Sequence, residues 1–369
     1  MNLAVAELRR ARGRFAAITA ALSLIVFLVL VLGALGDGLF YGGTGAVRSS
    51  TAQAYAFADD AQGSLVRSRL SRADESALEA EDGITQATPI GVLITTTTSV
   101  AGGADVVVMG YVPEADPAGV PRTVVAGRLP TPAQPDGAAV DESLAEQGLG
   151  LGSSVTVGGV AVPVVGVVAD AQYQGLPTVW TGLDAFGQMR DATRPELAGQ
   201  PLQPQVLGLR VAAGVAPASL AAPPGVVILD TQEAYLSIPG IREQRSSLNA
   251  IIYASLAVAG LVVALFFAVV VLEKRELFAA LKALGARTST LGGGVVLQAL
   301  GATAAAVVVG SLLARGLGLV LPGDIPFLFR AQTLVVSGLL TVTAGVLGAL
   351  LSLRRISRID PATALGGSL

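Results

Sequence analysis

Side chains that carry covalent or metal chemistry are scarce in this sequence. Its 369 residues include no histidine and no cysteine, which excludes a Ser-His-Asp triad, a thiol nucleophile and an ordinary zinc site. The two lysines, Lys274 and Lys282, lie outside any G-x-x-x-x-G-K-S/T loop, so the chain does not hydrolyse ATP by a P-loop mechanism. We therefore predict a chain with no catalytic residue, no resident cofactor and no metal site.

Two weaker patterns are also better explained without chemistry. The glycine cluster at 148–153 follows a predicted helix, whereas a phosphate-cradling loop opens one. The adjacent acids Asp141 and Glu142, and likewise Glu81 and Asp82, are of the type that does acid–base work. Neighbouring acids on a turn are, however, far more often simply solvated. No basic stripe with interleaved aromatic residues indicates a nucleic-acid partner.

Four long apolar runs dominate the rest of the sequence. Charged residues are absent over 22, 25, 27 and 23 consecutive positions. About 20 apolar residues cross a bilayer as a helix, so we predict four transmembrane helices, at 15–36, 248–272, 288–318 and 332–353. The first run is longer than the roughly 7–15 apolar residues of a cleaved signal peptide, which makes that alternative the weaker one.

Basic residues set the predicted orientation. Of the 24 Lys and Arg residues, 11 fall in three short segments, 1–14, 273–287 and 354–369. Because the cytoplasmic segments of membrane proteins are enriched in Lys and Arg, we predict that both termini and the 273–287 segment face the cytoplasm. Residues 37–247 and the 319–331 loop would then face outward from a cytoplasmic (inner) cell membrane that the chain crosses four times.

The long segment 37–247 has the helix and strand patterns of a folded domain. Thr44–Glu81 indicates one or two helices that continue outward from the first span, and β-branched strand patterns follow. A short helix at Glu142–Gln147, a hairpin across Gly158–Gly159 and helical residues at 231–247 complete it. The predicted fold is an α-helical membrane protein with four transmembrane helices and an α+β extracytoplasmic domain between helices 1 and 2.

This layout and three local stretches resemble the permease subunits of MacB/FtsX-type (type VII) ABC transporters. The stretches are GRLPTPAQPDGAAVDESLAEQGLGLGSSVTVGGVAVPVVGVVAD in the outward segment, EKRELFAALKALGA before the third span and RRISRIDPATALGG near the end of the chain. Within the family, the short outward domain, the LPGDIPF loop and the Gly366-Gly367 ending look most similar to the HrtB-type haem-efflux permeases. The DevC-type glycolipid exporters remain an alternative.

The resemblance implies the partners and the activity of the chain. A permease of this family would work with a second copy of itself in the lipid bilayer, while ATP and Mg are bound by a separate ABC ATPase subunit. It would take an amphiphilic cargo, haem in the HrtB-type case, from the membrane and expel it. The alternatives are a lipid or glycolipid cargo, an FtsX-like signalling role without transport, and a membrane-anchored binding protein without an ATPase.

Residues 273–287 form the predicted contact with the ATPase. Leu277, Leu281 and Leu284 recur at helical spacing and make one apolar stripe. On the residues alone, this is a short interfacial helix that lies under the lipid headgroups. The resemblance instead implies a coupling segment, and its ATPase-coupling residues would be Glu273, Lys274, Glu276, Leu277, Leu281, Leu284 and Gly285.

If haem is the cargo, tyrosine is the best ligand that the sequence retains. The usual axial ligands are His, Cys, Met and Tyr, but His and Cys are absent, and Met109 and Met189 lie outside the predicted spans. We therefore expect a substrate site near the outer membrane face with the residues Tyr41, Tyr253, Phe40 and Tyr173. The alternative is that these rings lie at the membrane interface for their amphipathic character alone.

Overall fold

The computed structural model describes residues 12–273, 276–277, 280, 284, 288–323 and 325–357. Two compact units divide the chain. An α/β unit extends from Leu39 to Gln244, and a helical unit comprises the residues up to Gly38 together with those from Arg245 onward.

Helices and strands follow one another along the described residues in a regular order. They are α1 (Arg12–Arg48), β1 (Ala54–Ala58), α2 (Arg72–Glu79), β2 (Ile84–Thr97), β3 (Ala104–Tyr111), β4 (Val124–Gly127), β5 (Ala138–Asp141), α3 (Glu142–Glu146), β6 (Ser154–Val157), β7 (Val160–Val168), β8 (Thr178–Gly182), α4 (Leu183–Thr193), β9 (Val206–Val211), β10 (Val226–Asp230), α5 (Thr231–Ser237), α6 (Ile241–Glu273), α7 (Thr288–Gly318) and α8 (Ala331–Ser357).

Helices α1, α6, α7 and α8 are each long and apolar enough to cross a membrane, which confirms the four predicted transmembrane helices. Leu22, Val26 and Leu30 of α1 share a buried cluster with Val263 and Phe267 of α6. Other faces of the same four helices carry exposed leucines, among them Leu28, Leu261, Leu312 and Leu339. Such faces suit a bilayer, because lipid tails are as apolar as leucine side chains.

Small residues let the helices of this unit approach closely. A Cβ added at Gly310 of α7 would lie 2.8 Å from the side chain of Val26 on α1. A Cβ at Gly345 of α8 would overlap the side chain of Thr303 on α7. These contacts are the close backbone approach that small residues allow between membrane helices.

The connection between α7 and α8 lies against α1 within the helical unit. The backbone N–H of Leu328 donates to the carbonyl of Ala34 over 3.0 Å, and a Cβ at Gly38 would overlap the carbonyl of Pro326. At the start of α8, the Thr333 hydroxyl donates to the Asp37 carboxylate. The connection is therefore held to one end of the first span by backbone contact and by a side-chain hydrogen bond.

The α/β unit contains a mixed sheet of ten strands within the described residues. Nine strands follow the order β10-β1-β9-β2-β3-β8-β5-β7-β4, and β6 pairs with β2 and β7. The pairs β3–β8 and β5–β7 are parallel, and the remaining pairs are antiparallel. An α/β domain thus lies between the first and the second membrane-length helix, as predicted.

Both faces of the sheet are buried, and strand β3 shows how. Val107, Met109 and Tyr111 enter one apolar cluster, while Val106 and Val108 enter another. This alternation follows from the two-residue period of a strand, which directs successive side chains to opposite faces. The first cluster also receives part of α1, and the second receives part of α4. Helices therefore cover both sides of the sheet.

Most of the local expectations for the inserted segment are confirmed, but one is wrong. The hairpin turn at Gly158–Gly159 joins β6 to β7, and the short helix is present as α3. Of the one or two helices predicted over Thr44–Glu81, the first ends at Arg48 and is followed by strand β1, and the second is present only as the short helix α2. That strand is wholly buried between β9 and β10, so the sheet overrides the high helix propensity of its alanines.

Candidate functional site

The last two turns of α1, which belong to the α/β unit, are held to the 170–175 loop of the same unit by backbone hydrogen bonds. The N–H of Gln174 donates to the carbonyl of Gly43 over 3.0 Å, and the N–H of Gly175 donates to that of Gly42 over 3.0 Å. In the other direction, the N–H of Ala46 donates to the carbonyl of Gln172 over 2.8 Å. We call this contact between residues 42–49 and residues 170–175 the helix anchor.

Glycine is required at position 45 of the helix anchor because the loop lies directly on the helix backbone there. A Cβ at Gly45 would lie 2.7 Å from the carbonyl oxygen of Asp170 and 3.1 Å from the backbone nitrogen of Gln172. At Gly42 the same atom would lie 3.0 Å from the side-chain oxygen of Gln172. Glycine in a helix costs about 1 kcal/mol relative to alanine, and at Gly45 it permits a backbone contact that a side chain would obstruct.

Charged and aromatic side chains strengthen the helix anchor. The Arg48 guanidinium donates to the Asp170 carboxylate, and its central carbon lies 4.2 Å from the centre of the Tyr41 ring. A cation over an aromatic face gains about 0.5–1 kcal/mol at a partly exposed site. The Ser49 hydroxyl donates to the backbone carbonyl of Asp170. Asp170 itself adopts a left-handed conformation with φ of 54°.

Two residues of the predicted substrate site, Phe40 and Tyr41, lie together beside the helix anchor. Their rings meet edge to face with centroids 5.5 Å apart, and the Phe40 ring meets Tyr235 in the same way at 5.8 Å. Phe40 packs against the buried cluster of the α/β unit. In this arrangement both rings already have aromatic or cationic partners, so they stabilise the part of the α/β unit that surrounds the helix anchor.

The expectation that Tyr173 faces the membrane is wrong for this structure. Its ring is fully buried in the core of the α/β unit, in one apolar cluster with Leu65 and Trp180. Burial raises the pKa of the Tyr173 phenol above its ordinary value, and the nearby backbone of Leu65 lowers it only in part. A phenol held in its protonated form is a poor ligand for ferric iron. Met109 and Met189 are likewise fully buried.

Tyr253 differs from the other predicted site residues in its exposure. It lies on α6 in the helical unit, and 62% of its side chain is exposed. It is therefore the predicted substrate residue that is most open to a molecule arriving from outside the protein.

The predicted coupling segment is described only in part. Glu273, Glu276, Leu277 and Leu284 are exposed, Leu284 to 85%, and the N–H of Leu284 donates to the carbonyl of Ala280 over 3.0 Å. Lys274, Leu281 and Gly285 lie outside the described residues. Exposed leucines at the end of a membrane helix are available to a protein partner or to lipid headgroups.

Three glycines are the one signal of the helix anchor that the sequence carries, and the predicted site residues did not include them. Gly42, Gly43 and Gly45 stand within a helical pattern, where isolated glycines usually indicate a packing requirement. Their partner, the 170–175 loop, lies about 120 residues further along the chain and has no pattern that pairs it with them. Among the described residues, no three Asp or Glu side chains cluster in a way that could hold a metal ion.

Four membrane-length helices with a large α/β domain inserted after the first define a multi-pass membrane protein. The profile of the MacB-like periplasmic core domain matches residues 15–223, and that of the FtsX-like permease C-terminal domain matches residues 249–361. The chain belongs to the MacB/FtsX family of ABC transporter permeases. It is a permease-type subunit and not itself the ATPase, so its function requires an ATPase partner.

Relatives and solved structures are similar at low identity. An uncharacterized ABC transporter permease of Mycobacterium tuberculosis is 28% identical over 80% of this chain and 78% of its own length. A putative hemin transport system permease protein HrtB of Staphylococcus haemolyticus is 22% identical over 100% of this chain and 99% of its own length. The periplasmic region of MacB from Actinobacillus actinomycetemcomitans matches with a TM-score of 0.37 and 12% identity, over 50% of this chain and 92% of that one.

Proposed function

We propose that the chain is one half of a homodimeric efflux permease that expels an amphiphilic molecule, haem, with ATP hydrolysed by separate subunits. The observation that carries this proposal is α1. It is one uninterrupted helix from Arg12 to Arg48, and its last turns are fastened to the α/β unit through the helix anchor. A helix of this kind suits a machine in which movement of the first span is passed to the inserted domain.

The energy for such a machine has to come from outside the chain. The four apolar runs contain no charged residue, whereas carriers driven by protons or ions keep acidic residues at membrane depth. A partner ATPase would act on the 273–287 segment. With four spans per chain, two copies would supply eight. The excess of Lys and Arg in 1–14, 273–287 and 354–369 supports a cytoplasmic location for both termini and for this segment.

Haem is the proposed cargo for two reasons. The relative of Staphylococcus haemolyticus that matches over the whole chain is named as a putative hemin transport permease. In addition, Tyr253 offers an exposed phenol on a membrane-length helix, and tyrosine is one of the side chains that ligate haem iron. The permease would take haem from the membrane and release it outward.

Titration of hemin into the reconstituted permease–ATPase complex tests this cargo. We expect bound hemin to give a Soret band shifted from that of free hemin and to stimulate ATP turnover. We expect Tyr253→Phe to weaken hemin binding about fivefold or more. Tyr235→Phe is the matched control, because it removes a phenol that is half-buried in the α/β unit. Equal loss in both variants would contradict the assignment of Tyr253.

Absence of hemin binding would remove haem as the cargo and leave a lipid or glycolipid in its place. If no amphiphile changes ATP turnover while the complex remains intact, the signalling alternative replaces transport. Neither result would contradict the association with an ATPase partner, because that association follows from the family to which the chain belongs.

Replacing Leu284 with aspartate tests the contact with the ATPase. The side chain is 85% exposed, so the substitution leaves the fold intact but places a charge on an apolar surface that a partner would cover. We expect cargo-stimulated ATP turnover to fall about tenfold. Leu319→Asp is the matched control, since Leu319 is 84% exposed in the connection between α7 and α8. Normal cargo-stimulated ATP turnover in Leu284→Asp would show that Leu284 does not take part in coupling to the ATPase.

A further inference from the structure

A cleft of about 210 Å³ opens in the α/β unit, and none of its lining residues in the described part of the chain belongs to the helix anchor. Its walls are the loop that carries Val66 and Arg69, part of β2 at Val92 and Leu93, part of α4 at Phe186 and Arg190, and the segment that leads from Arg194 to Gln205. None of the residues that we have assigned to substrate or to the ATPase lines it.

The cleft exists because strand β9 begins late. Its pairing with β2 stops at Ile90 and Val206, so the next stretch of β2 has no strand on that side to pair with. The buried side chain of Gln205 replaces the missing strand at Val92: its Oε1 accepts from the Val92 N–H, and its Nε2 donates to the Val92 carbonyl over 2.7 Å. This amide forms a rigid floor and leaves open space above it.

Three arginines converge on the cleft, and two of them lack a carboxylate partner among the described residues. Arg190 pairs with Asp191 at 2.6 Å. Arg69 donates to the backbone carbonyls of Val66 and Ser68, over 2.7 and 2.6 Å. Arg194 forms no ion pair with any residue that the structure describes. Of the lining residues in the described part of the chain, none is acidic.

Arg69 and Arg194 lie in one cleft with no counter-charge among its described lining residues, so the two cations repel each other. Partial burial, and then the charge of Arg194, lower the pKa of the Arg69 guanidinium below its ordinary value. An anion bound between them would relieve this repulsion. Guanidinium groups are also the preferred partners of carboxylates and phosphates, because their planar donors match two oxygens at once.

The rest of the cleft is apolar. Val66, Leu197 and Leu202 are half-buried along its walls, and the ring of Phe186 lies in the lining. A free inorganic anion would leave this surface in contact with water. A molecule with an apolar part next to its anionic group would cover it and gain about 25 cal/mol for each Å² of apolar surface buried.

We propose that this cleft binds the terminal phosphate or carboxylate of an amphiphile, with Arg69 and Arg194 holding the anionic group and Phe186 and Leu202 contacting the apolar part. The site is distinct from the residues proposed for haem, and it does not depend on haem being the cargo. It gives the inserted domain a ligand of its own, in addition to its mechanical connection with α1.

Calorimetric titration of octyl phosphate into the full chain in phosphatidylcholine nanodiscs tests the site, with empty nanodiscs as the reference for partition into lipid. We expect saturable binding of one molecule per chain, and at least about tenfold weaker binding for Arg69→Gln/Arg194→Gln. The matched control is Arg72→Gln/Arg242→Gln, which removes the same charge from exposed positions outside the cleft and should bind as the unmodified chain does.

Two further titrants separate the sources of affinity. Inorganic phosphate should bind at least about tenfold more weakly than octyl phosphate, and 1-octanol should show no saturable binding beyond the empty nanodiscs. Equal affinity for inorganic phosphate and octyl phosphate would contradict the proposal that the ligand is an amphiphile. Unchanged affinity for octyl phosphate in the double variant would contradict the assignment of the site to this cleft. Should the double variant fail to fold, Arg194→Gln alone decides, because its side chain is exposed and has no ion-pair partner among the described residues.

Discussion

Replacing Gly45 with valine is expected to reduce export by about tenfold or more while leaving the four-helix unit intact. The new Cβ would lie 2.7 Å from the Asp170 carbonyl oxygen, so the 170–175 loop has to move away from α1. Overpacking of this kind typically costs about 1–3 kcal/mol. The gain in helix propensity over glycine, a few tenths of a kcal/mol, does not offset it. The ion pair between Arg48 and Asp170 would be disrupted at the same time.

The measurement compares cargo export with basal ATP turnover in the reconstituted complex. We expect basal turnover to persist and export to fall, because the variant disturbs the fastening of α1 rather than the ATPase contact. Gly316→Val is the control: this helical glycine has nothing within 4 Å of an added Cβ, so the substitution should be tolerated. Normal export by Gly45→Val would show that the helix anchor plays no part in transport.

A pair of single cysteines should give opposite labelling patterns in intact cells. The chain has no cysteine of its own, so each introduced thiol reports alone. Ala115→Cys, on an exposed loop of the α/β unit, is expected to react fully with a membrane-impermeant maleimide. Ala280→Cys, in the basic segment between α6 and α7, is expected to stay unlabelled because positively charged segments remain in the cytoplasm.

Permeabilised cells provide the control, since both positions are exposed and both should then react. Labelling of Ala280→Cys but not Ala115→Cys in intact cells would reverse the proposed orientation. In either orientation one cysteine is labelled almost completely and the other hardly at all, so the labelled fractions distinguish the two orientations.

Much of the architecture follows from local patterns in the sequence. The four membrane-length helices follow from charge-free apolar runs, because nothing else in a protein of this size needs about 20 consecutive apolar residues. The hairpin between β6 and β7 follows from Gly158 and Gly159, which supply the positive φ angles of 58° and 85° that its turn requires. These features are set by neighbouring residues and by the solvent around them.

Features that depend on distant residues could not be predicted in the same way. Strand β1 has the sequence AYAFA, in which the alanines favour a helix and the aromatic residues a strand, and its position between β9 and β10 decides for the strand. The helix anchor joins Gly42 and Gly45 to residues more than 120 positions away. The arginine cleft brings Arg69 beside Arg194, and no local spacing connects them. In each case tertiary contact, which the sequence does not display, decides the outcome.

The contact between the α7–α8 connection and α1 has a consequence for the order in which the protein is made. The hydrogen bond from Thr333 to Asp37 joins residues 296 positions apart, so it forms only after almost the whole chain has left the ribosome. The α/β unit, by contrast, has all its residues by Gln244 and completes its sheet when β10 pairs with β1. Since domains generally fold as units during synthesis, the inserted domain is expected to fold before the first span makes its contact with the fourth.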